Sequence, residues 1–161
     1  MKKLILVRHG KSSWDFPVKD IDRDLIEKGI QNSISVAKIS LNLIDSNSVL
    51  WSSNATRAHK TALLFLENWN ISQKKLIIKP SLYTFDHNEL KKIISQCPND
   101  INSLILFGHN NAITDFANQF GSEYIDNVPT SGLVIITFET NFWSELKNGK
   151  TTDIIFPKNL K

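Results

Sequence analysis

Leu4-Ile5-Leu6-Val7-Arg8-His9-Gly10-Lys11-Ser12 is the stretch whose reading decides the fold. Four consecutive apolar residues suit a strand of a parallel sheet, buried on both faces, where polar alternation disappears. The run stops at Arg8-His9-Gly10, and open α/β sheets bind ligands just beyond the carboxyl ends of their strands. Gly10 lets the chain turn sharply and lets a ligand approach the backbone. Arg8 offers a planar fork for phosphate oxygens, and the His9 imidazole can act as a nucleophile. The bland alternative is an exposed turn that happens to contain these residues. What the later strands carry at their ends decides between the two.

After this strand, residues 11–25 form a polar loop with Trp14, Pro17 and Asp20-Ile21-Asp22-Arg23. A loop this long in a compact domain is more often functional than idle. The spacing predicts a helix over about 27–44, with Ile30, Ile34, Ala37, Leu41 and Ile44 on one face. Val49-Leu50-Trp51 reads as the second strand, ending at Ser52-Ser53-Asn54. A helix follows with Ala58, Ala62, Phe65, Leu66 and Trp69 toward the core. Leu76-Ile77-Ile78 is a short third strand, closed by Pro80. From about His87 a further helix turns Leu90, Ile93, Ile94 and Cys97 inward. Leu104-Ile105-Leu106-Phe107 is another uninterrupted strand, halted at Gly108-His109-Asn110-Asn111, and Ile113, Phe116, Ala117 and Phe120 mark the helix after it. A loop over 128–132 precedes a strand over 133–138. Asn148-Gly149 predicts a hairpin between 142–146 and 151–156. Strands alternate with helices through most of the chain. The expected architecture is therefore one domain over residues 1–161, a three-layer α/β/α sandwich with a mostly parallel central sheet and an antiparallel C-terminal end.

Composition narrows the function classes. The chain has 161 residues, 41% of them hydrophobic, enough for one full core. Its 19 basic and 16 acidic residues leave a net charge of only +3, spread along the chain, which argues against a nucleic-acid partner. Cys97 is the single cysteine, and no Cys/His cluster has zinc spacing, so neither a disulfide framework nor a metal is expected. The apolar run after Lys2-Lys3 is too short for a signal-peptide core, and nothing approaches a membrane span. A cytoplasmic protein is the expectation. One bias is sharper: there are 16 lysines but only three arginines, Arg8, Arg23 and Arg57. Arginine kept so sparingly marks positions where a bidentate anion contact would exclude lysine.

Three predicted strand ends carry the same kind of chemistry. The first has Arg8 and His9, the second leads through two serines to Arg57, and the fourth has Gly108-His109-Asn110. In a parallel sheet these ends share one edge, so two arginines and two histidines can converge there. Asn110 or Asn111 could cap the next helix and turn its first N–H groups toward the same anion. The constellation suits a phosphoryl group held without a metal or other cofactor. His59 and His87 lack such support and read as surface or rim residues.

These residues carry a resemblance. Leu6-Val7-Arg8-His9-Gly10-Lys11-Ser12, Ser52-Ser53 with Arg57-Ala58 and Thr61-Ala62, and Gly108-His109-Asn110 resemble the signature of the histidine phosphatase superfamily, with its phosphoglycerate-mutase-like fold. Lys11-Ser12-Ser13-Trp14-Asp15, Asp20-Ile21-Asp22-Arg23, Asn127-Val128-Pro129-Thr130 and the closing Phe156-Pro157-Lys158-Asn159-Leu160 are most similar to the small protein phosphohistidine phosphatases. The resemblance implies that His9 attacks phosphorus and becomes phosphohistidine, which water then hydrolyses. It implies that Arg8, Arg57 and His109 spread charge over the equatorial oxygens. Gly10, Ser12, Asn110 and Arg23 are then the expected substrate contacts. His9 must be neutral and His109 is best cationic, so the pocket is expected to drive their titrations apart. A hydrogen bond from His9 to a backbone carbonyl would orient the attacking nitrogen.

The general acid is open on sequence. Larger relatives place a carboxylate in mid-chain, where Asp86 and Glu89 are the candidates here, yet Asp86-His87-Asn88-Glu89 is also a capping-box pattern. Asp15 stands where many relatives have a phosphate-contacting asparagine, and a carboxylate there has to turn away. Asp20, Asp22 and Arg23 either shape the pocket mouth or pair among themselves. The implied substrate is phosphohistidine in a phosphotransfer or signalling protein. Small phosphate esters are the first alternative and a non-catalytic phosphate-binding module the second.

Overall fold

The computed structural model describes residues 1–160. Ten principal elements follow in chain order: β1 (Lys2–Arg8), α1 (Glu27–Ser40), β2 (Val49–Ser52), α2 (Thr56–Asn68), β3 (Leu76–Ile78), α3 (His87–Ser95), β4 (Ser103–Gly108), α4 (Ala112–Phe120), β5 (Leu133–Phe138) and β6 (Lys150–Ile155). They form one six-stranded sheet in the order β3-β2-β4-β1-β5-β6. The four strands from β3 to β1 are parallel, while β5 runs antiparallel to β1 and β6 antiparallel to β5.

The apolar runs divide by parity, as side chains on a strand must. Leu4 and Leu6 of β1, with Leu104 and Leu106 of β4, join Ile94, Ile113 and Phe116 in a core beneath α3 and α4. Ile5 and Val7, with Ile105 and Phe107, join Ala37, Phe65 and Leu66 in a second core beneath α1 and α2. Each aliphatic side chain so buried contributes about 1.5–3 kcal/mol. Helices covering both faces give the expected three layers.

Two local readings are corrected. Helix α1 ends at Ser40, in a 3-10 turn over Leu41–Leu43, and its buried face is Gly29, Ser33, Val36, Ala37 and Ser40. Ile30, Ile34 and Ile44 are only half-buried and Leu41 is exposed. The small residues win because α1 packs directly against the backbone leaving β1. A Cβ at Gly29 would collide with the Lys11 backbone, and one at Gly10 would lie 3.0 Å from both the Gly29 carbonyl and Ser33 Oγ. The hairpin expectation also shifts. Strand β6 pairs with β5 rather than with 142–146, where Trp143–Glu145 forms a 3-10 turn and Trp143 is buried. Its indole N–H donates to the Ile101 carbonyl at 2.8 Å, a tie that a β-strand over 142–146 would forgo.

The order of strands places the ligand site. After β1 the chain leaves on the α1/α2 face, and after β4 it leaves toward α4 on the other. Between these neighbouring strands the departing chains separate, opening a crevice at their carboxyl ends. Among the described residues no helix is long and apolar enough to cross a membrane.

Candidate active site

Register brings the two histidines together. Arg8 of β1 pairs with Gly108 of β4, and the His9 amide donates to the Gly108 carbonyl at 3.1 Å. His9 and His109 therefore leave adjacent strand ends, with ring centroids 5.2 Å apart. The 127–132 segment braces this edge from below. Ser131 N–H donates to the carbonyls of Arg8 and His9, and Arg8 Nη1 donates to the Val128 carbonyl at 2.9 Å.

The orientation of His9 is set locally. Its Nδ1 donates to the Gly10 carbonyl at 2.7 Å, the main-chain bond expected from sequence. The neutral ring then carries its lone pair on Nε2, where Arg57 Nε donates at 3.4 Å. Gly10 thus serves His9 through its carbonyl, and its missing Cβ makes room for α1 rather than for a ligand. Its amide donates to Thr61 Oγ1 at 2.8 Å, locking the turn to α2.

Arg57 sits in the first turn of α2 and is almost completely buried. Its Nη1 donates to the Asp20 carbonyl at 2.7 Å and its Nη2 to Asp20 Oδ2 at 3.0 Å. Asp20 Oδ1 accepts from Arg23 Nε at 3.0 Å, and Tyr83 donates its hydroxyl to Oδ2. Arg23 also donates to Ser12 Oγ at 2.6 Å and lies 3.5 Å from the Trp14 ring centroid. Partial burial acts to raise the Asp20 carboxyl, but the hydrogen bonds from Tyr83, Arg57 and Arg23 and the Arg57 charge hold it down at about 2.

His109 is held differently. Ser53 Oγ accepts from the Ala55 amide at 3.1 Å and lies 2.9 Å from His109 Nε2, so the hydroxyl proton is free to donate to that nitrogen. Arg8 Nε and His109 Nδ1 are the buried side-chain nitrogens without a protein partner among the described residues. Burial pushes His9 down to about 4, assisted by the charges of Arg57, Arg8 and Arg23 and opposed by the Gly10 carbonyl. Burial likewise pushes His109 down to about 3, with His9 and Arg57 adding to the effect and Asp20 opposing it. The expected separation of the two titrations is not found. Both rings share one desolvated, arginine-rich pocket, which disfavours charge on either.

Arg8, His9, Ser12, Arg23, Arg57, His109 and Asn110 all line one cleft of about 560 Å³, completed by Lys11, Trp14, Asp20, Phe85 and Thr130. A larger depression of about 720 Å³, beside Lys91 and Glu139, shares no residue with it and holds no histidine or arginine. Asn110 turns out to be a brace. Its Oδ1 accepts from the Thr114 amide and hydroxyl at 3.0 and 2.9 Å, and its Nδ2 donates to Asn127 Oδ1 and the Val128 carbonyl. The mid-chain carboxylates lie outside the cleft. Asp86 caps α3 through the Asn88 amide, and Glu89 pairs with Lys92 on an exposed face. The capping pattern competed with the acid reading, and the cap is what the backbone uses. Asp15 is exposed and absent from the cleft lining. His59 and His87 are half-buried and also outside it. Sequence reasoning missed Tyr83 altogether and left Asp20, with Asp22 and Arg23, either at the pocket mouth or paired within the loop. The only hint was Asp20 three residues before an arginine, and nothing local pointed to Arg57 as its partner.

The model of the histidine phosphatase superfamily (branch 1) matches residues 4–114, and the chain belongs to that family. An uncharacterized chloroplastic protein of Arabidopsis thaliana is 28% identical over 155 residues, covering 89% of this chain and 70% of that protein. The structure of the protein histidine phosphatase SixA complexed with tungstate superposes with a TM-score of 0.81 at 20% identity, covering 99% of both chains. Phosphoglycerate mutase from Bacillus anthracis str. Sterne superposes with a TM-score of 0.70 at 15% identity, covering 96% of this chain and 92% of that one. The fold is the phosphoglycerate-mutase-like one.

Proposed function

We propose that the protein is a metal-independent phosphatase that works through a phosphohistidine on His9 and removes phosphoryl groups from histidine in a phosphotransfer or signalling protein. The observation that carries this reading is the convergence of Arg8, Arg57 and His109 with His9 on one cleft. Phosphoryl oxygens would lie among these side chains while phosphorus faces the lone pair of His9. His9 Nε2 attacks phosphorus, the substrate P–N bond breaks, and its electron pair returns to the departing imidazole nitrogen. Water then attacks the phosphoryl group on His9, and inorganic phosphate leaves. Arg8, Arg57 and His109 hold the oxygens through both steps, which is most of what phosphoryl transfer requires.

Two features favour phosphohistidine over an ester. A phosphoimidazole protonated on its second nitrogen departs as neutral imidazole and needs no dedicated acid, whereas an alkoxide does. The positions of Asp86 and Glu89 outside the cleft suit a substrate of the first kind. The mouth also carries exposed Trp14 and Phe85, at 77% and 52%, a rim suited to a protein surface. The deciding experiment compares phosphate release from a histidine-phosphorylated phosphotransfer domain with release from an aryl phosphate, with His9→Ala as control. Faster release from the protein is expected. The reverse ranking would assign the same mechanism to small phosphate esters, and failure to trap any phosphoenzyme would leave only a binding module.

A further inference from the structure

We propose that Asp20 is a positioning residue for Arg57, clamping one edge of its guanidinium so that the other edge is presented to the phosphoryl group at His9. This rests on the phosphatase reading and adds a residue to its machinery. A guanidinium offers two forked edges to planar or tetrahedral anions, one from Nη1 and Nη2 and one from Nε and Nη2. Asp20 occupies the first edge completely, with its carbonyl on Nη1 at 2.7 Å and Oδ2 on Nη2 at 3.0 Å. The second edge faces the nucleophile, with Nε 3.4 Å from His9 Nε2. Carboxylate and phosphoryl group therefore use different edges of Arg57 and do not compete for one.

Asp20 is itself held from three directions. Arg23 donates to its Oδ1 from the same loop, Tyr83 donates to Oδ2 from the segment before α3, and Arg57 approaches from α2. These ties connect segments far apart in sequence, so the carboxylate fixes Arg57 relative to both the 11–25 loop and the segment before α3. Its 43% exposed side chain contributes little as a surface ion pair. The Arg57 partner, at 2% exposure, is where the orientation matters. Positioning errors of about 1 Å in such a group cost on the order of a hundredfold in rate.

The test combines kinetics with a readout that needs no turnover. Asp20→Asn keeps volume and the carbonyl contact but removes the charge. We expect kcat to fall about tenfold or more with KM within about threefold, because ground-state binding retains Arg8 and His109. In an Arg57→Lys background the same change is expected to cost less than about twofold, since lysine has no edge to clamp. Tyr83→Phe, which leaves the carboxylate with two partners, is expected to lose about twofold to threefold. The guanidinium resonances can be resolved because the chain has only three arginines. In the parent, the Arg57 Nη2 hydrogens should be distinct through slowed rotation, and in Asp20→Asn they should coalesce. A kcat that is unchanged or raised, an equal loss in the Arg57→Lys background, or Nη2 hydrogens still distinct in Asp20→Asn overturns the assignment. A parent that forms no phosphoenzyme refutes the phosphatase reading instead, and the resonance result is still read.

Discussion

The floor and the loop wall of the cleft are built by different forces. On the floor, His9 and His109 leave adjacent strands whose register is set by main-chain hydrogen bonds and whose apolar residues are completely buried. In the wall, Trp14, Asp20 and Arg23 belong to residues 11–25, where regular structure is limited to a 3-10 turn over Asp20–Asp22 and a single bridge between Ser12 and Leu25. The wall is held by charge: Arg23 stacks on Trp14, and Asp20 bridges Arg23 and Arg57. Backbone register tolerates side-chain change, whereas a charge-tied loop depends on each partner. The chemistry sits on the tolerant part and the tuning on the dependent one.

The largest effect expected is on the floor. His9→Ala is expected to abolish phosphate release and phosphoenzyme formation while the circular dichroism spectrum is unchanged, because the strand register does not use the ring. Residual turnover near the parent's would break the comparison at its centre. Arg57→Lys, where floor and wall meet, should lower kcat about a hundredfold or more despite the retained charge, since the forked donor is lost. Steady-state rates check this, and a near-normal rate would show that charge alone suffices.

The pH dependence sharpens the floor further. With His9 depressed to about 4, kcat/KM measured at pH 5.5 should hold within about twofold of its pH 7 value, where an ordinary histidine would be about nine-tenths protonated. An acid limb near pH 6.5 would contradict the desolvated pocket. The same depression makes both histidines destabilising in acid. The unfolded chain binds protons below about 6.5 that the folded one refuses down to about 4 and about 3, so stability falls as pH drops through that window. Denaturant melts of the parent should show this fall, and melts of a His9→Gln, His109→Gln double variant should show less of it.

Smaller effects belong to the wall. Trp14→Ala should raise KM about threefold to tenfold for a histidine-phosphorylated protein, while kcat/KM for an aryl phosphate changes less than about twofold. Equal effects on both substrates would move Trp14 from the partner surface to the site itself. Prolonged EDTA treatment is expected to leave both rates unchanged, and a chelator-sensitive rate would call for a metal phosphatase mechanism.

Much of the floor was legible in the sequence. The apolar runs ending at Arg8-His9 and at Gly108-His109 carry their meaning locally, since four buried aliphatics in a row specify a covered strand. The strand ends of one parallel sheet then have to share an edge. The scarcity of arginine marked Arg8, Arg23 and Arg57, and all three line the cleft. The α1 face was misread because hydrophobic periodicity favours the isoleucines, whereas the close approach of Gly29 to the Lys11 backbone demands small residues.

By itself, then, the sequence determined the layers, the sheet edge that carries the chemistry and the side chains gathered there. Periodicity and strand termini are properties of neighbouring residues. Only the tertiary structure decided that β6 pairs with β5, that Asp86 and Glu89 stand outside the cleft, that Asn110 ties α4 to Asn127 and Val128, and that Asp20 grips Arg57 and accepts from Tyr83. It also decided that one shared pocket depresses both histidines. Each of these depends on which distant backbone or charge comes within about 3 Å, and that distance is set by long-range packing, which no local pattern records.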